Sequence, residues 1–205
     1  MVREQLVVDP AATPAALIYK LLIGSIVPRP IAFVSTVSAE GVPNLAPFSF
    51  FNAVCAEPPV ITFANGYRVP SKDTLANVRA TGEFVVNIVT EEIAEAMNQC
   101  AGDYPAGVSE FAMSGLTPVA SDLVAAPRVR ESPINMECRV LQILDLSTKP
   151  MGGSLVIGEV IRFHVDSALS SNFRIDADQL RAIGRMGGNE YTRTRDRFAM
   201  IRPQV

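Results

Sequence analysis

The chain has no tryptophan, one histidine and three cysteines among its 205 residues. With His164 as the only imidazole, motifs that need two are excluded, and any Ser-His-Asp or Cys-His nucleophile would have to be built around that residue. Cys55, Cys100 and Cys138 are odd in number and tens of residues apart, which predicts buried free thiols rather than a disulfide framework or a zinc knuckle. Neither GxGxxG nor a GxxxxGK loop occurs, so the usual dinucleotide and P-loop phosphate fingerprints are missing. Long apolar runs are missing as well. The longest uncharged stretch, Gly41 to Ala56, is broken by Pro43, Asn44, Pro47 and Asn52 and cannot form a membrane span. Arg3, Glu4 and Asp9 stand where a secretory apolar region would begin, so a cytoplasmic protein is expected.

The chain is rich in apolar residues, at 48% against 19% charged, with a positive mean hydropathy. That excludes a disordered chain and predicts more apolar surface than one subunit hides, hence an oligomer. A length of 205 residues suits a single domain over 1–205. The net charge of −3 is unevenly placed. From Glu83 to Asp122 there are acids and no Lys or Arg, whereas Arg181, Arg185, Arg193, Arg195, Arg197 and Arg202 crowd the C-terminal end. Such an end is either a solvated face or a site for an anion; the overall charge and the lack of any zinc-finger, RNP or helix-turn-helix pattern argue against nucleic acid.

Proline and glycine punctuate the chain at short intervals, and most segments between them read as strands. A short helix is expected over Pro14–Leu22, closed by Gly24, and another over Ser71–Ala80, capped by Ser71 and ended by Thr81-Gly82. Strands are expected at Ile31–Val37, within Val42–Val54, at Val60–Phe63, Phe84–Val89, Ile134–Val140 and Leu155–Val165. Ile134–Val140 is apolar at even positions, which predicts burial of one face, and its phase slips at Leu141. Glu91–Cys100 and the loop to Pro118 read as connection rather than core. The fold class is mainly β, an antiparallel barrel with short helices at its connections.

Three constellations carry polar chemistry. Ser71-Lys72-Asp73-Thr74 opens a helix with a cation in its first turn, where the macrodipole favours anions by about 0.3–1 kcal/mol. It is either a plain cap or an anion site made of helix N–H groups, two hydroxyls and an ammonium. Pro28-Arg-Pro-Ile-Ala-Phe-Val-Ser-Thr36 and Asn44-Leu-Ala-Pro-Phe-Ser-Phe-Phe-Asn52 set Arg29, Ser35, Thr36, Asn44 and Ser49 among Phe48, Phe50 and Phe51. A flat heteroaromatic ring needs that mixture, although each phenylalanine taken singly also suits a core or a dimer interface. Gly184-Arg-Met-Gly-Gly-Asn-Glu-Tyr-Thr-Arg193 pairs glycines, which let a backbone approach a ligand, with arginines able to hold phosphate; the alternative is a solvated turn.

Taken in order, these segments, with Lys72-Asp-Thr-Leu-Ala-Asn77, Gly82-Glu-Phe-Val-Val-Asn87 and Gly158-Glu-Val160, resemble the flavin reductase-like, FMN-binding split-barrel family from about Leu17 to Arg197. The resemblance implies a homodimer of Greek-key-type split β-barrels with one FMN per subunit near the interface. Ser35, Thr36 and Val37, with Asn44, Ala46, Ser49 and Phe50, would line the isoalloxazine. Ser71, Lys72, Asp73 and Thr74 would hold the phosphate, and Arg185, Gly187, Gly188 and Tyr191 would lie beside the flavin. His164 falls on a barrel strand, as a structural residue or facing the nicotinamide side. The implied activity is an NAD(P)H-dependent flavin reductase: NADH or NADPH passes a hydride to the flavin, and electrons go on to a second acceptor such as a monooxygenase component. Two other roles fit the same resemblance, an FMN-bearing electron carrier and a non-enzymatic flavin-binding protein.

Overall fold

A computed structural model describes residues 3–105 and 107–204. Helix α1 (Ala15–Ser25) leads into β1 (Ala32–Val37), β2 (Pro43–Phe48), β3 (Phe51–Ala56) and β4 (Pro59–Gly66). Helix α2 (Asp73–Thr81) precedes β5 (Glu83–Ile88), and a short 3-10 turn leads into α3 (Ala94–Gln99) and then α4 (Glu110–Ser114). The pair β6 (Pro118–Val119) and β7 (Arg128–Val129) is followed by the long hairpin β8 (Ile134–Ser147) and β9 (Gly153–Val165). The chain ends with β10 (Ser170–Ser171), β11 (Arg174–Ile175), α5 (Ala177–Leu180), β12 (Ile183–Arg185) and β13 (Tyr191–Arg193).

Seven strands form one antiparallel sheet in the order β2-β1-β5-β8-β9-β4-β3. Period-2 alternation along β1 and β2 sorts their side chains to two faces. Ala32, Val34 and Phe48 point into the barrel, where Phe63 lies 5.0 Å from Phe48 and 5.3 Å from Phe84, centroid to centroid. Burying one such ring stabilises the fold by about 1.5–3 kcal/mol. Phe33 and Leu45 point outward into a second core, and α3 and α4 cover them with Met97 and Phe111. The segment after Glu91, expected as mere connection, is therefore half of that second core. β3 ends the sheet, and its residues Asn52 to Ala56 are exposed.

Several local expectations are corrected. Helix α1 passes through Gly24 to Ser25, with the Ile26 N–H bonded to Leu22 O, and none of its residues is buried. Lys72, not Ser71, is the N-cap of α2, and no side chain caps that helix; Gly82, at φ 70°, closes it as expected. β8 is buried on both faces from Ile134 to Cys138, because the loop before β7 covers its outer side. The slip at Leu141 is one of three register shifts along β8 and β9. Phe48 is core and Phe51 packs on the core, leaving only Phe50 of the three exposed. Cys55 is exposed on β3, whereas Cys100 and Cys138 are buried as expected. Among the described residues no helix is long and apolar enough to cross a membrane.

Candidate functional site

The β1–β2 hairpin sets the floor of a cleft. Asn44 and Thr36 are register partners, so their side chains project from the same face of the sheet. Asn44 Nδ2 donates to Thr36 Oγ1 at 3.3 Å and to Thr74 Oγ1 at 2.9 Å, while Asn77 Nδ2 donates to Thr36 Oγ1 at 3.0 Å. All four residues are buried. This network fastens the start of α2 over β2, and each bond within it contributes about 1 kcal/mol.

The Ser71 hydroxyl donates to Lys72 O rather than accepting from α2, and no side chain caps the first-turn N–H groups. The Lys72 ammonium lies 5.8 Å from the Phe48 ring centroid and makes no ion pair among the described residues, whereas nearby Arg68 is paired with Asp103 at 2.5 Å. A narrow polar cavity of about 80 Å³ opens here between Asn44, Ala46, Lys72, Asp73 and Thr74 and the facing segment from Cys100 to Tyr104. Glu110 closes its base. Its Oε2 accepts from Leu45 N at 3.0 Å, and burial pushes the carboxyl above the ordinary carboxylate range.

A wider cavity of about 380 Å³ adjoins it, since Pro47 and Ala101 line both. Its walls come from α1 through Tyr19 and Ile23, from Arg29 and Ser49, and from the late turn through Arg185, Gly188 and Tyr191. The Arg185 guanidinium stacks 4.5 Å from the Tyr191 ring centroid and donates to Gly188 O at 2.6 Å. Tyr191 donates in turn to Asn98 Oδ1 at 3.2 Å.

Nine residues singled out in the sequence thus line this pair of cavities: Asn44, Ala46, Lys72, Asp73 and Thr74 in the narrow part, and Ser49, Arg185, Gly188 and Tyr191 in the wide part. Ser35 does not, because its hydroxyl is buried on the opposite face of β1, bonded to Pro127 O and accepting from Asn87 Nδ2. Thr36 lies beneath the floor and acts through Asn44. Val37, Phe50, Ser71 and Gly187 line neither cavity. Crowding within the chain does not explain the glycines: a Cβ at Gly187 would meet nothing closer than 3.8 Å, and at Gly188 nothing at all, but Gly188 has φ +57°. Arg29, placed by the sequence reading in the constellation suited to a flat ring though not among the residues the resemblance implied, lines the wider cavity. Arg68 and Tyr19 had no signal in the sequence.

Arg195 and Arg197 are exposed, as a solvated face requires, and each also pairs with an acid at 2.5 Å, Arg195 with Glu91 and Arg197 with Asp178. His164 lines neither cavity. Its Nε2 lies 2.5 Å from Oε1 of Glu137, a fully buried carboxylate that also accepts the N–H groups of Asp122 and Leu123. Burial alone would raise that carboxyl; the donors outweigh it and hold the group below its ordinary range.

The sequence model for the flavin reductase like domain matches residues 23–203. The chain belongs to the flavin reductase-like family. It is 41% identical over 193 residues to the protein BH2278 of Halalkalibacterium halodurans, covering 91% of each chain. Among solved structures it resembles nitrilotriacetate monooxygenase component B from Bacillus cereus, at 38% identity and a TM-score of 0.93 over 97% of this chain and 100% of that one. The 2-nitrobenzoate 2-nitroreductase NbaA of Pseudomonas fluorescens gives 34% identity and a TM-score of 0.88 over 97% and 96%. Family membership accounts for the split-barrel architecture.

Proposed function

We propose that the chain is an NAD(P)H-dependent flavin reductase that holds FMN in the cleft above β2. The observation that carries this reading is the start of α2, where uncapped N–H groups and the unpaired Lys72 ammonium face the same narrow cavity as Asn44 and Thr74. A helix N-terminus with an adjacent cation is built for a phosphate. Lys72 and Thr74, with the N–H groups at Asp73 and beyond, would hold it. The carboxyl of Glu110, pushed toward its neutral form by burial, opposes an anion there less than an ordinary glutamate would.

The wider cavity suits a flat ring. Ile31, Pro47 and Met97 offer apolar contact, while Ser49, Asn98 and Asn189 offer a few fixed polar groups at the rim. Its volume of about 380 Å³ is that of a small-molecule site. Ser35, Thr36, Val37 and Phe50 then support the floor from behind or from the rim rather than touching the ligand with their side chains; Gly187 and Gly188 shape the late turn. When bound, the flavin supplies the chemistry, accepting a hydride from NADH or NADPH and releasing electrons to a second acceptor. The chain's own residues bind and orient it and exclude water from it, so no nucleophile is required. The component B neighbour supports a separate monooxygenase as that acceptor.

A homodimer belongs to the same reading. The subunit exposes 12,908 Å², whereas a lone globular protein of its mass shows about 9,000 Å². The test is the visible spectrum of the purified protein after FMN is added, followed by anaerobic stopped-flow mixing with NADH and with NADPH. Bleaching of bound flavin by either one is expected. A flavin that neither nicotinamide bleaches would leave an electron carrier, and a protein that takes up no flavin would refute the cleft assignment.

A further inference from the structure

Arg29 is 4% exposed, and a cation so buried normally has a carboxylate beside it. This one has none. Nε donates to Ser49 Oγ at 3.4 Å, Nη1 to the carbonyls of Ile23 and Ile26 at 2.7 and 2.8 Å, and Nη2 to Met186 O at 2.9 Å. A guanidinium has five N–H groups, so the second hydrogen on Nη2 is left with no acceptor among the described residues. Two of the acceptors, Ile23 and Ile26, lie at the C-terminal end of α1, where orphan carbonyls and the helix dipole favour a cation. A third is on the late turn, and paired backbone hydrogen bonds between Arg29 and Arg185 secure that turn against β1. The side chain is therefore fixed between three elements, and it lines the wider cavity.

The charged and titratable groups facing Arg29 are Tyr19 from α1 and Arg185 from β12, and neither is a carboxylate. The whole lining of the wider cavity repeats the pattern, with Arg29 and Arg185 as its cations and no Asp or Glu. A site that binds an uncharged ring gains little from two cations, whereas a site whose ligand becomes negative gains in proportion to the charge formed.

Hydride uptake forms such a charge. A neutral flavin ring that accepts two electrons and one proton as hydride becomes a reduced monoanion, while the donor leaves as the oxidised nicotinamide. We propose that Arg29 sets the reduction potential of the flavin, its uncompensated charge holding the reduced form as the anion. This rests on the flavin reading above and deepens it.

The test is potentiometry of the flavin-loaded protein. The preference of Arg29→Met for reduced over oxidised flavin should fall at least tenfold, which for a two-electron couple lowers the midpoint by about 30 mV. Arg29→Lys, which keeps the charge and loses the fork, should stay within half of that shift. Should Arg29→Met fail to fold, Arg29→Gln, which also removes the charge, takes its place, and the parent protein still tests the premise. A reduced anion takes one proton per two electrons, so the parent's midpoint should change by about 30 mV per pH unit and keep that slope at acidic pH, where free flavin measured alongside takes two protons. A folded Arg29→Met with the parent's potential, or a parent slope that follows free flavin, overturns the proposal. A parent that takes up no flavin refutes the underlying reading, and the proposal with it; the absorption spectrum reveals this before any variant is made.

Discussion

Glu91 and Arg195, 104 positions apart, meet in a two-point ion pair, with Nε donating to Oε1 at 2.8 Å and Nη2 to Oε2 at 2.5 Å. Arg181 and Arg193 reach the same carboxylate at 3.3 and 3.1 Å. The acid-rich middle of the chain and its arginine-rich end thus neutralise each other. The junction holds the strand that carries Tyr191 against α3, next to the wider cavity.

Hydrogen bonding from Arg195, with further donors in Arg181 and Arg193, holds the Glu91 carboxyl down from 4.5 to about 2. A group depressed on folding stabilises the native state above its ordinary range and loses that contribution as the pH falls through 4.5 toward 2. Glu91→Gln should therefore be less stable than the parent at neutral pH and converge with it in acid. Thermal melts from pH 7 to pH 2 check this, and parallel curves would refute it. Because the arginines are substantially exposed, added salt should shrink the gap.

Lys72→Ala should weaken FMN roughly ten- to a hundredfold, the consequence of losing a charge-assisted contact worth about 1.5–3 kcal/mol. Riboflavin, which has no phosphate, should bind the variant as it binds the parent. Fluorescence titration with both flavins makes the comparison, and equal affinity of the parent for the two would remove the phosphate from α2.

The paired glycines should respond differently to alanine. Gly188, at φ +57°, should lose about 1–2 kcal/mol. Gly187, with nothing within 3.8 Å of an added Cβ, should stay within about 0.5 kcal/mol. A control with a packing cause is Gly158, whose added Cβ would fall 2.5 Å from the buried Phe84 ring; overpacking there costs about 1–3 kcal/mol. Urea unfolding of the three variants separates conformational strain from collision.

Light scattering at micromolar concentration should give twice the 22.1 kDa subunit mass. Stable pairings of this kind commonly bury more than about 2,000 Å², which the excess exposed surface readily supplies. A monomer that binds flavin fully would contradict the expectation.

What was legible in the sequence was local. The strand periods, the Gly82 stop and the polar groups on β2 are each set by a few neighbouring residues; the narrow cavity gathers five of the predicted residues because β2 and α2 adjoin, and the late turn brings Arg185, Gly188 and Tyr191 beside Ser49 in the wider one. What was hidden depends on distant partners. Glu137 sits on an alternating strand as an outward polar residue, and the N–H groups of Asp122 and Leu123, with His164, make its burial tolerable. The arginines are exposed as expected, but nothing near them in the chain announces their shared partner Glu91. Cys55 was expected to be buried from the number and spacing of the cysteines alone, and it is exposed because β3 ends the sheet.

That last strand has a consequence for handling the protein. Phe51 to Ala56 carries neither charge nor proline, and its outer backbone groups face no neighbouring strand. Natural sheets usually blunt such a rim with lysine, proline or a bulge, because a bare one templates the addition of further chains. Here only an irregularity in the register between Ala53 and Cys55 interrupts it. A subunit with this rim bare is expected to keep its fold and lose colloidal stability, growing into fibrillar or amorphous deposits. Lysine in place of the exposed Val54 is the substitution that would let it stay dispersed.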